Sequence, residues 1–338
     1  PLNLRGLYNG VKRGSRNDTL ARLCGSWVND GLSYEECLEM AKTWNQNNNP
    51  PLSEEEIERT IKSIIRRHLL NDNTKQTFYH ERNLLHLPLV SRIKSKVHQK
   101  EKIYYTFENA KFKKEWSVIP SVEWGLPGPF DEAVFMAINK IISEKPKPVS
   151  NPVDIGSLRN IVQMIGHDVS GHTIKIVKES ILRLRSLTIL SEMVFFDANK
   201  KKFITDAFGI FDRIIFTGEI LDNEEKSKTT LIWLNGVYLK NINAGYVSQV
   251  DFETYISLKS FIARGIYRIL ASLIASNNLK LKISYQKLAT KLQIPEEKYI
   301  SSIKRQLSLA HKELIEKGIF QKIFFDEKQD RIIISYKR

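Results

Sequence analysis

The side chains in this sequence best placed for chemistry are hydroxyl, imidazole and basic groups set opposite apolar stripes at helical spacing. In residues 170–187, Ile174, Val177, Ile181 and Leu184 form one stripe, while Ser170, His172, Thr173, Lys175, Lys178 and Arg185 project elsewhere. Residues 295–317 repeat the plan with cleaner segregation: Lys298, Ser301, Ser302, Lys304, Arg305, Ser308 and Lys312 stand against Tyr299, Ile303, Leu307, Ala310 and Leu314. Short donors near a helix N-terminus reach base edges, and longer cations clamp phosphates. The plainer reading of either face is solvation, the usual role of surface charge. Two predicted hairpins carry Lys200, Lys201 and Lys202, and Lys328 and Arg331, which suit phosphate or minor-groove contact or protect a sheet edge from aggregation. Towards the N-terminus, Lys12, Arg13 and Arg16 precede one predicted helix, and Lys62, Arg66 and Arg67 lie along another. This basic rim fits a single-strand or template contact, or solvation.

Catalytic constellations are missing from the sequence. There is no Gly-x-x-x-x-Gly-Lys-Ser/Thr phosphate loop and no His-x-x-x-His or paired-histidine metal site of the kind a nickase needs. Glu35-Glu36 and Glu54-Glu55-Glu56 open predicted helices, where the helix dipole accounts for them. Cys24 and Cys37 fall on apolar helical positions with no Cys-x-x-Cys spacing, and are expected to be small core residues. The sequence thus predicts no enzyme, no cofactor and no metal.

The elements that must position the basic faces follow from periodicity and caps. Residues 16–70 read as three helices: one capped by Asn17 or Asp18 and stopped by Gly31, one over Tyr34–Asn45 behind a Ser33/Glu36 capping box, and one over Glu54–Leu70 behind a Ser53/Glu56 box. Residues 71–124 read as a linker with one hairpin, Lys102–Phe107 against Glu115–Ile119, and Gly125-Leu-Pro-Gly-Pro predicts a domain boundary. From there one order of elements appears twice. Helices Asp131–Glu144, Ile155–Gly166 and Ser170–Leu187 lead to strands Leu190–Asp197 and Lys202–Thr205. Then helix Phe252–Ser276, a short strand Leu281–Ser284, and helices Tyr285–Leu292 and Pro295–Lys317 lead to strands Ile319–Phe325 and Arg331–Tyr336. Three helices and a hairpin is the plan of a winged helix, whose third helix can enter the major groove. Between the copies, Phe208–Glu219 and Thr229–Leu239 read as extra strands. The expected fold is therefore mainly α with α+β winged-helix modules, divided into a helical domain (1–70), a linker (71–124) and winged-helix domains at 125–245 and 246–338.

Composition agrees with a polyanionic partner. The 338 residues hold 52 Lys+Arg against 38 Asp+Glu, a net charge of +14. The longest apolar stretch, Phe261–Ile274, is cut by Arg264 and Arg268, so no membrane span is predicted and a cytoplasmic location is expected. The chain opens on Pro1-Leu2-Asn3, with neither an initiator Met nor a signal peptide, which suggests a piece of a longer protein.

Residues 14–65 resemble the primase C-terminal helical module. The likeness is carried by Gly-Ser-Arg-Asn-Asp-Thr-Leu-Ala-Arg-Leu from Gly14, by Asn47-Asn48-Asn49-Pro50-Pro51-Leu52-Ser53-Glu54-Glu55-Glu56-Ile57 and by Thr60-Ile61-Lys62-Ser63. Residues 125–338 resemble the plasmid replication initiator A family through Leu126-Pro-Gly-Pro-Phe-Asp131, Gly166-His-Asp-Val-Ser-Gly-His, Arg183-Leu-Arg-Ser-Leu, and Arg264-Gly-Ile-Tyr-Arg268 leading to Leu288-Ala289. That resemblance implies tandem winged helices on repeated double-stranded origin DNA and recruitment of host replication proteins such as helicase or primase. Self-association as a homodimer and single-stranded DNA binding through the N-terminal module are further expectations. Two other readings stay open: a non-catalytic template- or helicase-binding part of a primase-polymerase, and a winged-helix transcriptional repressor, which would not need the N-terminal module.

Overall fold

A computed structural model describes residues 10–12, 14–29, 32, 34–74, 77–91, 102–106, 114–221, 224–275, 283–294, 300–319, 322–326 and 331–335. The chain divides into two compact units, Pro1–Gln76 and Thr77–Arg338.

The first unit is the three-helix domain expected: α1 (Arg16–Asn29), α2 (Tyr34–Asn45) and α3 (Glu54–Thr74). α1 begins one residue before the expected caps. Asp18 therefore lies in its first turn, beside the positive helix end, and pairs with Arg22 at 2.9 Å. Gly31 and Ser33 lie outside the described residues. The second capping box is present, with the Ser53 amide donating to Glu56 at 3.1 Å and the Glu56 amide to the Ser53 hydroxyl at 3.3 Å. Leu20, Leu23, Trp27, Cys37, Ala41, Trp44, Ile57 and Ile61 make the core. Asn45 pins the following turn through both polar atoms, donating to the Leu52 carbonyl at 2.9 Å and accepting its amide at 2.8 Å. Cys24 and Cys37 are buried free thiols, and burial pushes Cys24 up to about 12, so both behave as the small core residues the sequence predicts.

The second unit corrects the expected linker. Residues 77–81 form β1 (Thr77–Glu81), which pairs antiparallel with β9 (Val247–Asp251), and α4 (Arg82–His86) follows directly. The hairpin of β2 (Ile103–Thr106) and β3 (Glu115–Ile119) exists as predicted. However, β3 also pairs with β5 (Thr188–Asp197), and β5 with β6 (Lys202–Phe208), giving one sheet in the order β2-β3-β5-β6. Phe78, Leu84, Leu85, Trp116 and Val118 are each at most 1% exposed, and that burial draws β1, α4 and β3 into the core of the second unit. Gly125 does turn the chain, with φ +68, but inside this unit and not between domains.

Helices α5 (Pro129–Ser143), α6 (Leu158–Met164) and α7 (Gly171–Arg185) lead to the β5–β6 hairpin in the expected order. Residues 155 and 156, expected in a helix, instead end β4 (Val153–Gly156). Val153 and Ile155 turn inward and Asp154 outward, the period-two pattern of a strand, and β4 pairs with β8 (Thr230–Leu234), itself beside β7 (Phe211–Ile215). α8 (Gly236–Asn243) then returns the chain to β9.

The second set holds α9 (Phe252–Ser257), α10 (Phe261–Ala275), α11 (Tyr285–Lys291), α12 (Ile300–Glu316), β10 (Lys322–Asp326) and β11 (Arg331–Ser335). The single helix expected over Phe252–Ser276 is broken at Leu258–Ser260, because side chains satisfy the backbone there. Arg264 donates to the carbonyls of Ile256 (2.9 Å) and Leu258 (2.7 Å), and the Glu313 carboxylate accepts the amides of Lys259 and Ser260. Residues 281–282 and 295–299, which hold parts of the short strand and last helix expected from sequence, lie outside the described residues.

The two sets are not separate domains. One hydrophobic core runs from Phe78 through Trp116, Phe135, Val177 and Ile232 to Ile266 and Leu307. At its centre Arg268 and Glu132, 4% and 2% exposed, pair at 3.0 Å; Arg268 also donates to the carbonyls of Leu84 (2.9 Å), Leu85 (2.7 Å) and Leu87 (3.3 Å). The expected division at 245/246 therefore falls inside the core.

Candidate nucleic-acid interface

α12 segregates its side chains as its sequence predicts. Ile303, Leu307, Ala310 and Leu314 are buried, while Ser301, Arg305, Ser308 and Lys312 are exposed at the i, i+4, i+7 and i+11 spacing of one helical stripe. Ser302 and Lys304 flank it half-buried, with the Lys304 ammonium 5.0 Å over the Tyr285 ring. Lys312 stands 3.7 Å from Glu316, a solvated pair that holds it weakly. Among the described residues no ion pair engages Arg305. Lys298 and Tyr299 lie outside the described residues.

α7 is tied down more firmly. Ser170 is its N-cap: its hydroxyl accepts the Thr173 amide at 3.1 Å, and the Ser170 amide donates to the Thr173 hydroxyl at 2.9 Å. The Thr173 hydroxyl donates to the Asp168 carbonyl at 2.8 Å, so both short side chains expected at base edges are spent on closing the helix end. Lys178 lies 4.6 Å over the Phe216 ring and 4.0 Å from Glu219, Arg185 donates to the Asp212 carbonyl at 3.2 Å, and Lys175 stands 3.9 Å from Glu179. His172 and Lys175 remain exposed.

The β5–β6 hairpin presents Lys200, Lys201 and Lys202, all exposed, with Lys200 3.6 Å from Asp197 and Lys201 in the left-handed region at φ 51. A buried polar network anchors this hairpin. Glu81 caps α4 by accepting the Leu84 amide at 2.8 Å, and accepts the amide groups of Asn83 (2.7 Å) and Asn241 (2.9 Å). Those two amides in turn donate to the Phe196 carbonyl at 2.9 and 2.8 Å, and Asn241 accepts the Ala198 amide at 2.9 Å. Burial pushes the Glu81 carboxyl up to about 7 despite these donors, and burial holds the neighbouring His80 imidazole down at about 3.

Arg16, expected on a basic rim, opens α1 and donates to the carbonyls of Pro50 and Pro51, so its guanidinium braces a turn. Lys62 pairs with Glu58 at 2.9 Å, and Arg66 is placed on α3. A groove of about 500 Å³ along α2 is rimmed by Glu36 and Glu39, which gives that side of the unit an acidic character. In the second hairpin Arg331 is Cα partner to Asp326, and Lys328 lies outside the described residues. Sequence reasoning missed the aromatic side chains around the first hairpin, Phe196, Phe203 and Tyr246. Strand pairing brings Phe196 and Phe203 together and packing adds Tyr246, and no local period marks them. Among the described residues no group of three His, Cys, Asp or Glu side chains could hold a metal, and no helix is long and apolar enough to cross a membrane.

Fold and surface together define a mixed α/β protein built on repeated helix-and-hairpin sets with a basic helix face. Residues 5–69 match the family model Primase C terminal 1 (PriCT-1), and residues 79–309 match Replication initiator protein A, in the order the motifs predict. The second match spans more than half of the sequence, and the chain belongs to the Replication initiator protein A family. Among solved structures, selenomethionine derivatives of domains 2 and 3 of RctB are similar at a TM-score of 0.49, with 14% identity over 73% of this chain and 94% of that one. The Pi initiator protein in complex with iteron DNA is similar at a TM-score of 0.41, with 11% identity over 71% and 99%. No curated protein matches the sequence.

Proposed function

We propose that this replication initiator binds duplex DNA at an origin, with its two helix-and-hairpin sets acting as winged helices and α12 as the principal reading helix. The observation that carries this is the α12 stripe of Ser301, Arg305, Ser308 and Lys312, opposite a fully buried apolar stripe, in a chain of initiator family. Hydroxyl and guanidinium groups at that spacing meet base edges and phosphates along one groove. α7 contributes less, because Ser170 and Thr173 close its helix end and Lys178 and Arg185 are engaged within the protein, and the lysines of the β5–β6 hairpin add phosphate contacts. The test is affinity for origin and random duplexes against salt, comparing the native chain with Arg305→Ala. If Arg305 reads a base, the loss is about 1–3 kcal/mol and confined to the origin site; if it touches phosphate, both duplexes weaken and the salt slope shrinks by about one unit. Unchanged affinity for both duplexes in Arg305→Ala, Lys298→Ala and Lys304→Ala would remove α12 from the interface.

The same reading assigns the chain no covalent chemistry, since its sequence holds neither a phosphate loop nor a nucleophile–base set. Metal-dependent primer synthesis by the purified chain would refute that. The match of residues 5–69 to a primase C-terminal module supports a second role for the first unit, contact with template or with a host helicase or primase.

A further inference from the structure

Duplex binding through α12 and the hairpin tips leaves one face of the β2-β3-β5-β6 sheet unused. Trp116, Val118, Ile189 and Phe195 turn to the core. On the opposite face Tyr104, Ser117, Leu190 and Ala207 form one cross-strand row, and past the register shift in β5, Phe196 lies opposite Phe203. Tyr104 is 41% and Phe203 44% exposed, high values for aromatic rings on an ordered sheet.

Cations accompany the rings. Lys114 stands 4.9 Å over Phe203, Phe203 meets Phe196 edge-on at 5.4 Å, Phe196 meets Tyr246 at 4.9 Å, and Arg82 lies 5.1 Å over Tyr246. At the far edge Lys102 lies 5.2 Å over Tyr104. Arg82 is held in place by Ser248 (3.2 Å) and the Val247 carbonyl (3.3 Å). Phe203 is four residues along β6 from the Tyr104 row and three strands across, so the two open rings stand about 20 Å apart at ordinary strand spacing. Among the described acidic groups between them, Glu115 is buried and bonded to the Tyr104 hydroxyl, Glu192 is exposed, and Asp206 is exposed but pairs with Ser191 on the other face.

We propose that this outer sheet face binds single-stranded nucleic acid, with bases stacking on Phe203 and Tyr104 and phosphates meeting Lys114 and Lys102. Unpaired bases offer the π-faces that exposed rings recognise, and a backbone between them satisfies the cations. Paired bases in a duplex hide those faces, and an apolar protein surface would leave the lysines desolvated and unpaired. The site is distinct from α12, so either can fail alone.

The test uses the full chain and a short oligodeoxythymidylate carrying 5-iodouracil, photo-crosslinked and mapped by mass spectrometry, with affinity read in parallel by anisotropy. Adducts are expected on the peptides holding Phe203 or Tyr104. Phe203→Ala should lose its adduct and weaken oligonucleotide binding about tenfold, Phe203→Trp should retain both, and duplex affinity should not change. Because a ring variant could misfold, Lys102→Ala and Lys114→Ala provide the same reading without removing a packed ring, through weaker binding and a shallower salt dependence. Adducts confined to other peptides would overturn the proposal. So would oligonucleotide affinity unmoved in the folded variants, including the case where Phe203→Ala abolishes only self-association and the face thereby proves to be a protein contact.

Discussion

Arg268 and Glu132 form a buried ion pair whose value lies in being complete. With three carbonyls also bonded to Arg268, removing the cation leaves a buried carboxylate without its counter-charge, held by the Tyr255 hydroxyl at 3.3 Å, and takes a donor from three carbonyls in the core. Arg268→Met should cost about 3–5 kcal/mol in denaturant unfolding, and Glu132→Gln added to it should restore part of the loss. Glu81 and His80 make a second prediction, about pH. The native state holds the Glu81 proton up to about pH 7, above the ordinary carboxyl value, so lowering the pH from 7.5 to 5 stabilises the fold through this group. Buried His80 takes up its proton only near pH 3, and His311 near pH 4, whereas the unfolded chain protonates them near 6.5, so the same change destabilises through them. Glu81 and His80 nearly cancel, each worth about 2 kcal/mol over that range. Glu81→Gln should therefore make stability fall more steeply with acid, its gap from the native protein widening by about 2 kcal/mol between pH 7.5 and 5. Parallel pH curves would disprove it. Neither group announced itself in the sequence, because burial by distant elements sets both values.

At the scale of elements, α7 and α12 look alike in sequence, but the hydroxyls at the α7 N-terminus are engaged in closing the helix. Ser170→Ala removes a cap and should lower stability by about 1 kcal/mol, while duplex affinity at saturating folded protein stays unchanged; a selective loss of origin binding would return Ser170 to the interface. The α12 apolar stripe was legible because it needs only a period of 3.6 residues. The break between α9 and α10 was not, since Glu313, which satisfies the start of α10, lies far along the chain. β4 was also missed, as its four residues carry a period too short to stand out beside the longer helical pattern that follows.

At the scale of the whole molecule, the second unit should unfold as one. Residues 125–338 alone would lack β1, α4 and β3, the carbonyl partners of Arg268, and the Glu81 network. That fragment should be unfolded or molten by near-ultraviolet circular dichroism, while residues 77–338 give one cooperative transition. A natively folded 125–338 fragment would contradict the single core.

The sequence by itself determined the three-helix module, the twofold order of helices and hairpin, the apolar stripes of α7 and α12, the net charge and the family. The family rests on motif resemblance, and the rest is written in local period, cap residues or composition, which for the helices contacts within a few turns suffice to enforce. Only the tertiary structure decided that β1, α4, β2 and β3 complete the core and that the two sets share it. It also decided that Lys178 and Arg185 of α7 are engaged, and that Phe196, Phe203 and Tyr246 meet beside one hairpin. These depend on strand pairing and burial between residues far apart in the chain, where many pairings satisfy the same local pattern and the packed core selects among them.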